Sequence, residues 1–326
     1  MIIVRSPLRV TLGGGGTDLP SYYRQFGGFL VAAAIDKYVY VTIHNSFVEE
    51  LIVKYSSLER VASADQLKHP LFRECLGLMR KNGKYLEIAS FADIPAGTGL
   101  GSSGSFGTAL LRALHHLDKI PITAAQLSEL ACKVEIDILK EPSGKQDQYI
   151  SAFGGVACFE FNRDDTVNVA SLQCSQDTLH DLEDNLMLFF TGYTRDAASI
   201  LKEQDAQSQK QDSCMIENLH HTKELGVRSH AALQRGDMQE FGRIMNEHWR
   251  HKRKRSQNMS NTKIDVWYDA GLKNGAIGGK LVGAGGGGFL MFIAENRARL
   301  RSAMTELGLS EVRFRFDYEG AKIVAS

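Results

Sequence analysis

Pro95-Ala96-Gly97-Thr98-Gly99-Leu100-Gly101-Ser102-Ser103-Gly104 is the stretch on which the reading of this chain turns. Phe106, Leu110, Leu114 and Leu117 follow at helical spacing, so the glycines stand at the entrance to a helix. Glycines placed this way let successive N–H groups converge on an anion. The helix N-terminus adds the positive end of its dipole, and serine hydroxyls can reach a phosphate-bound cation. No Lys-Ser/Thr pair follows the glycines, which excludes a Walker A loop. Pro95 interrupts the strand-to-helix entry and no acidic partner stands about 20 residues on, which excludes a dinucleotide-binding turn. A glycine- and serine-rich helix cap without a ligand is the competing reading.

Two further clusters weigh against that competitor. Of the 31 glycines, many fall in Gly13 to Gly16, Gly97 to Gly107 and Gly275 to Gly288, and each cluster adjoins an apolar segment. That is the pattern expected where backbone must approach a ligand closely. Residues 31–43, 85–91, 156–159, 186–190 and 289–293 read as strands, and the alternation of Val312, Phe314 and Phe316 predicts one more. Thr123 with Gln126 makes a capping box, and Leu127, Leu130, Ala131, Val134 and Ile138 mark the apolar face of the helix it starts. A helical region runs from Ala197 to about Arg255. The polar stretch from Asn162 to Asp184 is the best boundary, giving domains of residues 1–180 and 181–326. Strands and helices without strict alternation predict an α+β class in both halves.

Lys plus Arg and Asp plus Glu both total 38, so there is none of the basic excess that a nucleic-acid or membrane-surface binder carries. No stretch approaches the ~20 apolar residues of a membrane span, and the N-terminus has no signal-peptide pattern. The five cysteines are scattered without a CxxC pair, and are expected to be reduced thiols of a cytoplasmic protein. No zinc-ligand spacing is present.

The motif Pro95 to Ser103 resembles the phosphate loop of the GHMP kinases, the superfamily named for galactokinase, homoserine kinase, mevalonate kinase and phosphomevalonate kinase. Pro7-Leu8-Arg9-Val10-Thr11-Leu12-Gly13-Gly14-Gly15-Gly16-Thr17-Asp18 is similar to the first motif of that family, and Lys280-Leu281-Val282-Gly283-Ala284-Gly285-Gly286-Gly287-Gly288-Phe289 to its third. The resemblance implies an N-terminal ATP-binding domain related to a ribosomal-protein domain, a ferredoxin-like C-terminal domain, and an active site between them. It implies ATP as phosphoryl donor, Mg2+ as cofactor and a small sugar or sugar phosphate as acceptor. It leaves a homodimer open and implies no nucleic-acid or membrane partner.

Phosphoryl transfer needs a phosphate cradle, a metal and a group that handles the nucleophile's proton. The resemblance assigns the cradle to Gly97, Gly99, Leu100, Gly101, Ser102, Ser103 and Gly104, and the metal to Ser103 and Glu135. Measured from Leu127, Glu135 lies about 80° round the helical wheel, at the edge of the apolar face. An acid there is costly unless paired or metal-bound; a boundary glutamate paired with a lysine is the alternative. Ser143-Gly144-Lys145-Gln146-Asp147-Gln148-Tyr149 resembles the galactokinase-like segment whose aspartate acts as base, matching Asp147, which otherwise reads as a turn or cap. Arg9 aligns with the basic residue that offsets charge beside that aspartate and lowers the hydroxyl's effective pKa. Gly15, Gly16, Thr17 and Asp18 fall at the sugar site, Asp18 as acceptor for sugar hydroxyls, and Gly286 and Gly287 face the substrate in the third motif.

Galactokinases carry Gly-Glu-His-Thr-Asp where this chain has Gly14-Gly15-Gly16-Thr17-Asp18. A carboxylate and an imidazole have become glycine, which favours a larger or more anionic acceptor. The Gly-Gly-Gly-Thr-Asp-Leu-Pro run and Gly-Lys-Gln-Asp-Gln-Tyr resemble the D-glycero-D-manno-heptose 7-phosphate kinases, which make a heptose 1,7-bisphosphate for nucleotide-activated heptoses of bacterial surface polysaccharides. L-Fucokinase-like and galactokinase-like enzymes share much of the pattern, and a catalytically silent sugar sensor is a further alternative. A heptose 7-phosphate needs a second anion site. Phe241, Met245, His248 and Lys252 share one helical stripe, so Lys252 is the member of the basic run Arg250 to Arg255 expected to point inward.

Overall fold

The computed structural model describes residues 1–79, 83–192, 197–255 and 259–326. The chain runs through β1 (Ile2–Gly13), α1 (Pro20–Phe26), β2 (Gly28–Asn45), β3 (Leu51–Lys54), β4 (Leu58–Val61), α2 (Pro70–Leu78), β5 (Leu86–Ala92) and α3 (Ser102–Leu117). It continues with α4 (Ala124–Cys132), a π-helical turn (Lys133–Ile138), α5 (Gln146–Phe153), β6 (Val156–Phe161), β7 (Val167–Ser171), α6 (Gln176–Asn185) and β8 (Leu186–Phe190). Then come α7 (Ala197–Gln209), α8 (Ser213–Gln234), α9 (Met238–Lys252), α10 (Thr262–Lys273), β9 (Ala276–Leu281), β10 (Phe289–Ala294), α11 (Arg297–Glu306), β11 (Ser310–Val312) and β12 (Lys322–Ala325).

Two sheets organise these elements. The first has the order β12-β1-β2-β5-β3-β4, with β6 also on β2 and β7 on β6. The long β2 serves two partners: its start pairs with β6 and its end with β5. The second sheet is antiparallel, in the order β11-β8-β10-β9. Its strand β10 is buried at every residue, which is why Phe289 to Ile293 reads as an unbroken apolar run. Strands before Ser171 build the first sheet and Leu186 opens the second, but β12 returns to pair with β1. The final alternation yields a shorter strand than expected: β11 stops at Val312, and Phe316 makes only an isolated bridge to Ile35.

Pro7 sets the geometry of β1. Having no N–H to give the ladder, it sits where the β1–β2 register shifts, between Pro7 and Leu8. Its carbonyl accepts from Ser105 Oγ of α3 at 2.7 Å and Ser151 Oγ of α5 at 2.9 Å. One bulge thus ties the strand to both helices that carry the phosphate loop and the candidate base.

The capping box at Thr123 and Gln126 forms as expected. The helix it starts passes into the π turn, with Leu139 N–H donating to Val134 carbonyl at 2.9 Å. An i→i+5 turn advances each residue by less than the ~100° of an α-helix. Glu135 is thereby rotated from the edge of the apolar face into the interior, 6% exposed, and Ile138 is rotated out of that face, 39% exposed. The expected core position at Ile138 fails for this reason.

The second and third glycine clusters meet. A Cβ on Gly283, whose φ is +76°, would stand 2.5 Å from Gly99 Cα. Two backbones can approach this closely only without side chains. Gly283→Ala is expected to destabilise the protein by roughly 1–3 kcal/mol. Gly107→Ala, inside α3 with nothing within 4 Å of the new Cβ, should stabilise it by about 0.5–1 kcal/mol. Urea unfolding of both variants measures the contrast; equal effects would remove the loop-to-loop constraint.

Candidate active site

Gly101, in the left-handed region at φ +80°, begins α3, and no side chain caps the helix. Its leading N–H groups are therefore left for an incoming anion. Gly97, Gly99, Gly101, Ser102 and Ser103 line one cavity beside this terminus. Leu100 and Gly104 serve from behind it: Leu100 carbonyl accepts from Arg9 N–H at 2.9 Å, and Gly104 lies against Asp147.

Arg9 reaches forward from β1. Its Nε and Nη2 donate to Asp147 Oδ1 and Oδ2 at 2.7 and 2.9 Å, and its Nη1 donates to Gly99 carbonyl. Asp147 stands in the first turn of α5, where the helix dipole favours a carboxylate. Gln146 steadies it, accepting from Thr11 Oγ1 at 2.8 Å and donating to Asp147 Oδ1 at 3.0 Å.

A second cavity opens on the other side of this pair. Asp18, Gly15, Gly16, Gln204, Lys252 and Lys280 are among its walls, and Arg9 and Asp147 line both cavities. Asp18 accepts from the N–H groups of Gly16 and Gln146, both at 3.1 Å. Burial, with Asp147 nearby, raises its carboxyl above the ordinary range. The stripe of Phe241, Met245, His248 and Lys252 is buried as expected, and Lys252 Nζ donates to the carbonyls of Leu281 and Gly283.

The family model for the GHMP kinases N terminal domain matches residues 70–155, and that for the GHMP kinases C terminal matches residues 229–309. This chain belongs to the GHMP kinases. A D-glycero-alpha-D-manno-heptose 7-phosphate kinase of Campylobacter jejuni is 28% identical over 98% of each chain. A crystal structure of a D-glycero-D-manno-heptose 1-phosphate kinase from Bacteroides thetaiotaomicron superimposes with a TM-score of 0.81 at 28% identity, covering 100% of this chain and 99% of that one. An L-fucokinase/L-fucose-1-P guanylyltransferase of Bacteroides fragilis is 26% identical over 93% of this chain and 36% of its own length. The α+β GHMP kinase fold expected from the three motifs is the fold of this protein.

Three expected positions, Thr17, Gly286 and Gly287, lie elsewhere in this GHMP kinase. Thr17 is fully buried with its hydroxyl donating to the carbonyls of Gly14 and Phe29, both at 2.9 Å, so it fastens the turn and does not face the cavity. Gly286 and Gly287 are buried within the third loop, where Gly286 N–H donates to Met259 carbonyl at 2.9 Å; the half-buried Gly283 and Ala284 line the cavity instead. Other site residues escaped the sequence reading. Gln146 and Lys280 lie inside the quoted motifs and Arg255 in the basic run, yet those patterns give none of them a site role, and Gln204 lies in no motif; the fold places all four in this wall.

Glu135 accepts from Ser103 Oγ and Gln148 Nε2, each at 2.8 Å, so Gln148 is a further unforeseen partner. The buried Oε1 of Gln148 has no hydrogen-bond partner among the described residues. A hydroxyl, a carboxylate and this amide oxygen are hard oxygen donors, and they fit Mg2+. Burial pushes the Glu135 carboxyl up to about 7. The folded state then holds its proton more tightly than the unfolded chain does. The resulting stability is complete below about 4.5 and is lost as pH rises through about 7. Relative to Glu135→Gln, the parent protein in EDTA should lose on the order of 2–3 kcal/mol of unfolding free energy across that window. A pH-independent difference between the two urea titrations would contradict the burial.

Proposed function

We propose that this protein is an ATP-dependent sugar kinase that phosphorylates the anomeric hydroxyl of D-glycero-D-manno-heptose 7-phosphate, giving the heptose 1,7-bisphosphate. The reaction class is carried by one observation: Arg9 and Asp147 form a bidentate pair in the wall shared by two cavities. One cavity is lined by an uncapped helix N-terminus and a glycine loop, as a nucleotide triphosphate requires. The other is lined by Asp18 and cationic side chains, as a polyhydroxylated anion requires. The heptose assignment is supported by the Campylobacter jejuni relative and by the missing carboxylate and imidazole at Gly15 and Gly16.

In this reading Asp18 accepts hydroxyl hydrogens of the sugar and turns its anomeric hydroxyl toward Asp147. Asp147 takes the hydroxyl proton as the sugar oxygen bonds to the γ-phosphorus and the bond to the ADP oxygen breaks. Arg9 holds the carboxylate in line through both oxygens and balances its charge beside the incoming phosphates. The N–H groups of Ser102 and Ser103 face the donor's phosphates. Mg2+, held by Ser103 and Glu135, would neutralise charge on those phosphates when bound.

Asp147→Asn should lower kcat by about 10²–10⁴ while leaving the Kd for ATP nearly unchanged. Steady-state kinetics beside ATP titration calorimetry separates the two, and near-native kcat would remove Asp147 from the chemistry.

The fucokinase relative supports a second acceptor, L-fucose. Competition at fixed ATP among heptose 7-phosphate, heptose 1-phosphate, L-fucose and D-galactose decides, with the product's phosphate positions read by NMR. The heptose 7-phosphate is expected to be consumed first and to gain its phosphate at the anomeric carbon. Preferential use of fucose or galactose would overturn the acceptor and leave the kinase standing.

A further inference from the structure

Lys252, Arg255 and Lys280 line the acceptor cavity without lining the nucleotide cavity, and are only 7%, 7% and 3% exposed. Buried charge is costly unless it is paired. Among the described residues, these three have neutral hydrogen-bond partners only. Lys280 Nζ donates to Leu12 carbonyl at 3.1 Å, Lys252 Nζ to the Leu281 and Gly283 carbonyls, and Arg255 to Asn218 Oδ1 at 2.6 Å and to Thr222 Oγ1. Of the cavity's two carboxylates, Asp147 is paired with Arg9, and Asp18 is hydrogen-bonded to two backbone N–H groups and acts on Arg255 only through its charge, without a hydrogen bond to it.

The sequence makes room for this cluster. Gly16 has φ +100°, and a Cβ there would stand 2.9 Å from Arg255 Nη1 and 3.2 Å from Gln204 Nε2. The position that carries an imidazole in the galactokinase pattern is here a gap beside which a guanidinium lies. His248 adds a buried Nε2 with no partner among the described residues, in the same wall. Burial, with repulsion from Arg9 and Arg255, pushes Lys280 down to about 7, and burial, with repulsion from Arg255, Lys280 and Arg9, pushes Lys252 well below the ordinary lysine range. The cluster is thus held against its own electrostatics, which an anion of nearly two charges would relieve.

We infer that Lys252, Arg255 and Lys280 form one site for the phosphate monoester of a phosphorylated acceptor, and that this site selects phosphorylated over unphosphorylated sugars. The inference rests on the kinase reading above and names the side chains that set its acceptor class. Arg255 supplies a planar fork for two phosphate oxygens, and the lysines supply point charges.

The test compares the parent protein with Arg255→Gln, Arg255→Lys and Lys280→Met. For each, kcat/KM is measured with D-glycero-D-manno-heptose 7-phosphate and with the unphosphorylated heptose. The ratio of the two should fall about 10–100-fold in Arg255→Gln and in Lys280→Met, as expected for loss of one charge-assisted contact. Arg255→Lys, which keeps the charge and loses the fork, should retain part of the ratio. Thermal unfolding with inorganic phosphate gives a readout that a structural role would not move. Phosphate should raise the parent's Tm, and that rise should disappear in Arg255→Gln and Lys280→Met, while the Tm of Lys280→Met without phosphate holds or increases. A ratio that stays within about threefold of the parent's, including an equal fall with both sugars, overturns the site and leaves the kinase reading intact. A parent that prefers unphosphorylated sugars overturns the acceptor reading and this site together.

Discussion

The fork between Arg9 and Asp147 fixes the relation of three elements that are distant in sequence. Arg9 gives its backbone N–H to Leu100, its Nη1 to Gly99 and the rest of its guanidinium to Asp147. Strand β1, the phosphate loop and the start of α5 are therefore held by one residue. The arrangement depends on strand register, because a slip of one residue would send Arg9 to the opposite face of the sheet. The register shift at Pro7, locked by Ser105 and Ser151, guards against that slip.

Around this fork the protein accepts unfavourable burial. Glu135 and Asp18 have carboxyls raised by desolvation, and Lys252 and Lys280 have amines depressed by it. The two signs are unevenly placed. Glu135 and Ser103 line the cavity beside the glycine loop, and Lys252, Arg255 and Lys280 line the other cavity together with Asp18. A site organised in this way has its strongest fields where charged ligands would lie, and ligands of opposite sign would stabilise the fold as they bind.

The glycines carry a matching constraint on shape. Gly99 and Gly283 bring the second and third loops into backbone contact, and Gly16 leaves a gap that Arg255 approaches. In both cases the absent side chain is what admits a neighbour from another part of the chain. The sequence showed glycine clusters next to apolar segments; which partner each glycine admits depends on packing between the two sheets.

The sequence by itself determined the local elements and the three motifs. Strand β8, the capping box at Thr123, the helix behind the phosphate loop and the inward stripe of α9 follow from short-range periodicity and hydrogen-bonding chemistry, and these act within a few residues. It also singled out Arg9, Asp147, Ser103 and Glu135, which the fold brings together in two pairs. Tertiary structure alone decided the rest. The π turn that buries Glu135 and exposes Ile138 breaks the angular step on which any helical wheel relies. Thr17 and Gly286 lie in motifs that read as substrate-facing, yet hydrogen bonds to the Phe29 and Met259 carbonyls, 12 and 27 residues away, hold them inward. Arg255 ends a basic run and Lys280 opens the third motif, but neither pattern says what the side chain meets, because that depends on neighbours more than 200 residues away in the chain, Gly16 for Arg255 and Leu12 for Lys280.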